Sequence, residues 1–249
     1  MSIYNIQTKR IRQKLAEAKK KDSKLKVFGA SYHKYRINRP AEKDAISKFE
    51  QQYDVQLPDC YKSFLLDVGN GGVSHAGSAA GPFYGIYPLG VNVNELIYAD
   101  TNQHLQNKCL IFPEISNEDW IALGGRVSLD NIVDEEYERE TGRIYGGILP
   151  IGSQGCSAIH GIVLNGEHRG RVVYLDIEGQ KPHFTFEANF LDWYERWLDE
   201  VITGELVTAG PTWFGYTMKR AQKEALQPVP VNDAYEGRGN RNKWFQFWK

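Results

Sequence analysis

Cys156, His160 and His168 are the residues whose types and spacing come nearest to a reaction centre. A thiolate nucleophile needs a base within hydrogen-bond reach, and either histidine stands close enough in the chain to be considered. The surrounding Gly152-Ser153-Gln154-Gly155-Cys156 lacks the G-x-S-x-G form, and no strand-to-helix elbow is expected there. Cys156 and His160 are also four apart, but they fall where a loop passes into a strand, with no third ligand nearby. A tight glycine turn leading into a strand accounts for the same residues without chemistry.

Gly69-Asn70-Gly71-Gly72 and the stretch from Gly77 to Gly81 hold glycines of the kind that cradle phosphate. A cradle requires a helix to begin directly after them, so that its free amides point at the anion. Here the first group follows a helical pattern and the second precedes strand-like residues, Phe83 to Leu89. Both read as turns. The expectation is a protein that is not an enzyme and carries no cofactor and no metal.

The elements that hold these residues are easier to read. From about Ala41 to Tyr53, Ile46 and Phe49 share one face of a polar helix. Leu57-Pro58 ends it and opens another, where Asp59 favours the positive end of the helix dipole and Tyr61, Phe64, Leu65 and Val68 form the apolar stripe. The glycine run then stops that helix. Residues 4 to 22 form a third pattern, with Ile11, Leu15 and Ala18 at helical spacing among Lys and Arg. A further helix is expected from Asn92 through Leu105, capped by the Asn92-Val93-Asn94-Glu95 start.

Strands are expected at Leu110 to Phe112, Trp120 to Leu123, Ile148 to Ile151, Ala158 to Leu164, Arg171 to Leu175 and His183 to Phe186. Gly166 and Gly179 punctuate the later ones as hairpin turns would. A last stripe, Phe190, Trp193, Trp197, Leu198 and Val201, is helical again. Helices before and after a meander give α+β, a mainly antiparallel twisted sheet flanked by helices. Residues 128 to 143 read as an insertion with a helical option, and the tail has a helical candidate at Tyr216 to Leu226 and an aromatic end at Trp244 to Trp248.

The hairpin of helices and the segments after it resemble the SMI1/KNR4 family, also called the SUKH superfamily. The resemblance rests on Ile46-x-x-Phe49-Glu50, Leu57-Pro58, Tyr61-x-x-Phe64-Leu65-Leu66 and Asn70-Gly71-Gly72. It continues through Phe83-Tyr84-Gly85-Ile86, Leu149-Pro150-Ile151-Gly152, Gly170 to Asp176, and Phe190 to Leu198, in that order. It implies a SUKH-like domain over 41–203, with a basic helical extension at 1–40 and a second extension at 204–249. For function it implies a bacterial immunity protein that binds and neutralises a cognate toxin, often a nuclease. The alternative it carries is a regulatory scaffold. A hydrolase built on Cys156 is the third reading.

Charge supports a binder. Residues 1 to 43 carry thirteen Lys or Arg against three Asp or Glu, residues 44 to 203 carry ten against twenty-four, and residues 204 to 249 carry seven against four. A negative body attracts a basic partner and repels nucleic acid. With the toxin that the resemblance implies, the expected partner is a basic protein toxin, with neither nucleic acid nor membrane expected and the oligomeric state left open. Contacts are expected from Asp119 and Trp120 at a strand edge and from Asp134, Glu135, Glu136, Tyr137 and Glu138 in the insertion. Three scattered cysteines without a C-x-x-C pair suit a reducing compartment, and the first residues lack an apolar run of signal length. A cytoplasmic protein is expected.

Overall fold

The computed structural model describes residues 3–97, 103–124 and 133–208, all within the first of the two units into which the chain divides, Met1–Tyr216. The helical candidate Tyr216 to Leu226, the aromatic end and the first part of the insertion lie outside the described residues. Helix α1 spans Asn5–Lys21, α2 Ala30–His33, α3 Lys43–Tyr53 and α4 Asp59–Asp67, followed by a 3-10 turn at His75–Gly77. A second 3-10 turn at Gln103–Gln106 precedes α5, Asn117–Ala122, and α6, Asp134–Ile144. Then come β1, Ile148–Gly155, β2, Ala158–Val163, β3, Val172–Asp176, β4, His183–Phe184, and helices α7, Phe190–Thr203, and α8, Glu205–Thr208.

The four strands form one antiparallel sheet in the order β1-β2-β3-β4, so the fold is α+β. Alternation along the strands divides the interior into two layers, because successive side chains point to opposite faces. Leu149, Ile151, Ile162, Val172 and Tyr174 join the larger core with α1, α3, α4 and α7. Ile148, Ile159, Val163, Val173 and Leu175 face the other way, onto Ile111, Ile115, Trp120, Ile144 and Tyr145. The sheet is thus covered on both sides.

The first and last helices pack together. Ile11 and Ala18 of α1 are fully buried, and Leu15 packs against the same core. Across the seam, Arg10 pairs with Glu195 of α7, its Nη2 donating at 2.7 Å, and Lys14 reaches both Glu195 at 2.8 Å and Asp199 at 2.6 Å. Gln7 donates to Asp192 at 2.8 Å. Burial alone would raise the Glu195 carboxyl, but hydrogen bonds from Arg10, Lys14 and Gln7 hold it down at about 2. Part of the basic arm and part of the acidic body therefore neutralise each other inside the molecule.

Four expectations are corrected. Phe83 to Leu89 is not a strand: Phe83 and Gly85 adopt φ of 55° and 99°, and the Gly85 amide closes a turn on the Pro82 carbonyl. Only one bridge, Ala79 to Ile86, forms there, while Tyr84 and Tyr87 donate to Ser153 and Ile151 along β1. Trp120 to Leu123 is not a strand either, because Trp120 lies within α5 and Leu123 caps it. Ser116 starts that helix, its Oγ accepting from the Asp119 amide at 3.0 Å and donating to the Asp119 carboxylate at 2.9 Å. Leu110 to Phe112 is irregular, ending in a turn that the Ile115 amide closes on the Phe112 carbonyl. Of the helix expected from Asn92 to Leu105, residues 92–97 form successive turns around an Asn92 with φ of 55°, residues 98–102 lie outside the described residues, and Gln103–Gln106 is a 3-10 turn.

Candidate functional site

Helix α6 carries the acidic group, and its first turn exposes it. Val133 precedes the helix in extended conformation and is 67% exposed, while Asp134, Glu135 and Glu136 follow on the surface, where the helix dipole favours negative charge. Further along, Thr141 and Ile144 are buried and anchor the helix on the sheet. Arg143 pairs with Glu140 at 2.9 Å and donates to the Leu123 carbonyl at 2.7 Å, which ties α6 to α5. The hydrogen bond from Arg143 lowers the Glu140 carboxyl. Asp134 and Glu135 make no ion pair among the described residues, and Glu136 reaches only the exposed Arg139, at 3.5 Å.

Of the seven expected contact residues, five sit on α6 and two on α5. Asp134, Glu135 and Glu136 are exposed, Tyr137 and Glu138 half-buried. Asp119 is exposed and occupied with its cap. Trp120 is the correction: it is 2% exposed, packed near Tyr145, with its indole Nε1 donating to the Gly179 carbonyl at 3.0 Å. It is a core residue on a helix, not a contact at a strand edge, and it fixes α5 to the β3–β4 turn.

The apolar residues that are exposed in these segments were missed in the sequence. Ile121 is 52% exposed, and Phe112, Leu110 and Ile177 also stand out from the elements of this layer. Single apolar residues in short irregular segments carry no periodic signal, so nothing marked them as outward. The start of α5 did have a signal, since Ser116-Asn117-Glu118-Asp119 has the form of a capping box. Replacing Ser116 by Ala is expected to cost about 1 kcal/mol, measured by denaturant unfolding, because it leaves first-turn amides uncapped.

The residues with reactive side chains do not assemble. Cys156 is exposed in the β1–β2 turn at φ 52°, whereas His160 is fully buried among Phe83, Tyr174 and Trp193. His160 Nε2 lies 3.1 Å from the Gly85 carbonyl, and no hydrogen bond joins it to Cys156. His168 packs its ring on Phe184. Among the described residues no three His, Cys, Asp or Glu side chains converge as a metal site would require.

The glycine run is structural. A Cβ on Gly69 would lie 2.0 Å from the Ile37 side chain, and the Gly72 amide donates to the Gly77 carbonyl at 2.7 Å. Asn70 accepts from the Leu89 amide at 2.8 Å. The hydrogen bonds of this run go to neighbouring chain.

An open antiparallel sheet layered between two sets of helices, with no assembled reactive group among the described residues, defines an α+β domain whose distinctive feature is its charged surface. Residues 40–196 match the SMI1 / KNR4 family (SUKH-1), and the chain belongs to that family. No curated protein and no solved structure matches it. Membership implies an immunity-protein-like role in general terms, typically non-catalytic, with a toxin as the general kind of partner. Among the described residues, no helix is long and apolar enough to cross a membrane.

Proposed function

We propose that this protein is an immunity protein of a bacterial polymorphic or contact-dependent toxin system, acting in the cytoplasm by stoichiometric binding of a basic nuclease toxin. The observation that carries this reading is the exposed acidic first turn of α6, Asp134, Glu135 and Glu136, in the same layer as exposed Val133 and Ile121. Carboxylates of this kind speed encounter with a cationic surface, and apolar residues among them supply area to be buried once the partner docks. Tyr137 and Glu138, three and four residues on from Asp134, share its side of α6, and Asp119 on α5 is the further contact of this reading. A nuclease toxin fits because its substrate-binding surface is positive, so an acidic inhibitor competes with nucleic acid for the same face.

Charge reversal tests the proposal. The triple substitution Asp134→Lys, Glu135→Lys, Glu136→Lys is expected to slow association with a basic nuclease toxin domain that this protein binds at least about tenfold at low salt. The difference should shrink as salt screens the charges. Stopped-flow association with a catalytically inactive toxin reads both. An association rate indifferent to the substitutions and to salt would sink the assignment of this face. A partner that is instead an endogenous regulator, bound in a cell with no toxin gene, would favour the scaffold reading.

A further inference from the structure

The cations of α1 divide between two sides of the helix. Arg10 and Lys14 turn to α7, whereas Arg12 borders a cleft of about 420 Å³ on another flank. The opposite wall is the chain at Tyr35, Arg36, Ile37 and Asn38, and Leu15, Val68 and Val73 complete the lining. Two arginines, Arg12 and Arg36, face each other across it and no acidic residue lines it. It belongs to neither the acidic helix nor the Cys156 turn.

The wall is held in place by its backbone. The Arg36 carbonyl accepts from the Ala80 amide at 2.8 Å, the Asn38 amide donates to Gly71 at 2.8 Å, and the Asn70 amide donates to Arg39 at 3.2 Å. Ile37 fills the space that a side chain on Gly69 would need. The cleft is thus preformed, which lowers the ordering cost of a ligand.

Its chemistry selects the occupant. Arg12 and Arg36 are exposed and have no ion-pair partner among the described residues, and nearby in the chain Lys34 and Arg39 are exposed cations as well. Two unpaired guanidinium groups beside Leu15, Ile37, Val68 and Val73 suit a ligand with carboxylates around an aliphatic side chain. A nucleobase would want an open aromatic face. Tyr35 offers none, because its ring stacks on Trp197 at 5.9 Å and its hydroxyl donates to Asp22 at 2.8 Å.

We propose that the cleft between α1 and residues 35–38 docks an acidic peptide segment, seating a Leu-like side chain among Leu15, Ile37, Val68 and Val73 while Arg12 and Arg36 grip the flanking carboxylates. The protein then has two docking faces of opposite sign. The acidic α6 face takes a basic partner, and this cleft takes an acidic one.

The test is fluorescence anisotropy on the full chain with a labelled Asp-Glu-Leu-Asp-Glu peptide. Two control peptides replace Leu by Ser or the four acids by their amides, and an oligothymidine of about ten nucleotides supplies the phosphate arm. The Leu-containing acidic peptide is expected to bind at least about tenfold tighter than either control peptide and tighter than the oligonucleotide. Arg12→Glu with Arg36→Glu, and equally Arg12→Gln with Arg36→Gln, should weaken it at least about tenfold. Lys19→Glu with Lys20→Glu makes the same charge change elsewhere on α1 and should leave affinity within about twofold.

An equal loss in the Lys19 and Lys20 variant, indifference to Leu, preference for the oligonucleotide, or no peptide binding at all overturns the cleft. The reversed α6 triple variant should bind the acidic peptide normally. Failure of the toxin experiment and failure of this one are therefore separate results.

Discussion

Acidification from pH 6.5 to 4.5 is expected to remove about 4 kcal/mol of folding stability, because two histidines are held neutral inside the protein. Burial lowers the pKa of His33 to about 4 against a weaker pull from Asp22, and burial lowers that of His160 to about 3 despite its hydrogen bond to the Gly85 carbonyl. In the unfolded chain both titrate near 6.5. Between these values the unfolded state binds protons that the folded state refuses, so stability falls as pH falls, by about 1.4 kcal/mol per pH unit for each group. His183 shifts in the same direction, through burial and Lys181. Glu95, raised by burial, opposes them. Glu195 contributes stability above pH 4.5 and loses it only as pH falls towards its own value of about 2, so it does not confound the window.

Denaturant unfolding followed by tryptophan fluorescence at half-unit steps reads this directly. A loss of that size approaches the whole stability of an ordinary domain. His33→Gln and His160→Gln should each lower stability at pH 7.5 yet roughly halve the pH slope, which a merely structural role would leave unchanged. Stability that stays flat across the window would refute the account.

The second large effect concerns α1. Replacing Ile11 by Asp is expected to destabilise the protein by at least about 4 kcal/mol, because it places a carboxylate at a position with no exposed surface. Ile11→Ala should cost about 2 to 5 kcal/mol by loss of packing. Loss of the helix would also strip Glu195 of its ion pairs with Arg10 and Lys14, which adds to the loss of packing. If α1 were an appended arm, either substitution would leave the thermal midpoint where it is. Differential scanning fluorimetry separates the two cases.

Much of the fold was legible in the chain because periodic burial writes itself into residue order. Ile46, Phe49 and Tyr53, then Tyr61, Phe64 and Leu65, mark two helices that pack by one face each, and all six are buried. The strands from Ile148 to Phe184 were legible through glycine punctuation and β-branched runs. Helix α5 was not, since six residues are too few to show a period and Trp120 and Ile121 favour strand on composition alone. Phe83 to Leu89 failed for the opposite reason: its aromatic, β-like composition is overruled by a turn through Phe83 and Gly85 at positive φ. Of the candidate contact surface, the acidic run at 134–138 could be read, but the burial of Trp120 and the exposure of Ile121 could not.

Family, α+β class and the division of charge along the chain follow from residue order alone, because apolar periods, turn glycines and net charge are local properties. The fate of those charges required the tertiary structure. Arg10 and Lys14 lie 185 positions from the acids they meet, Glu195 and Asp199, and nothing in composition says which cation is consumed within the fold. Only the docking of α1 on α7 turns those two towards the seam and leaves Arg12 facing the cleft that Arg36 borders from the other wall, since a helix presents its successive residues in different directions.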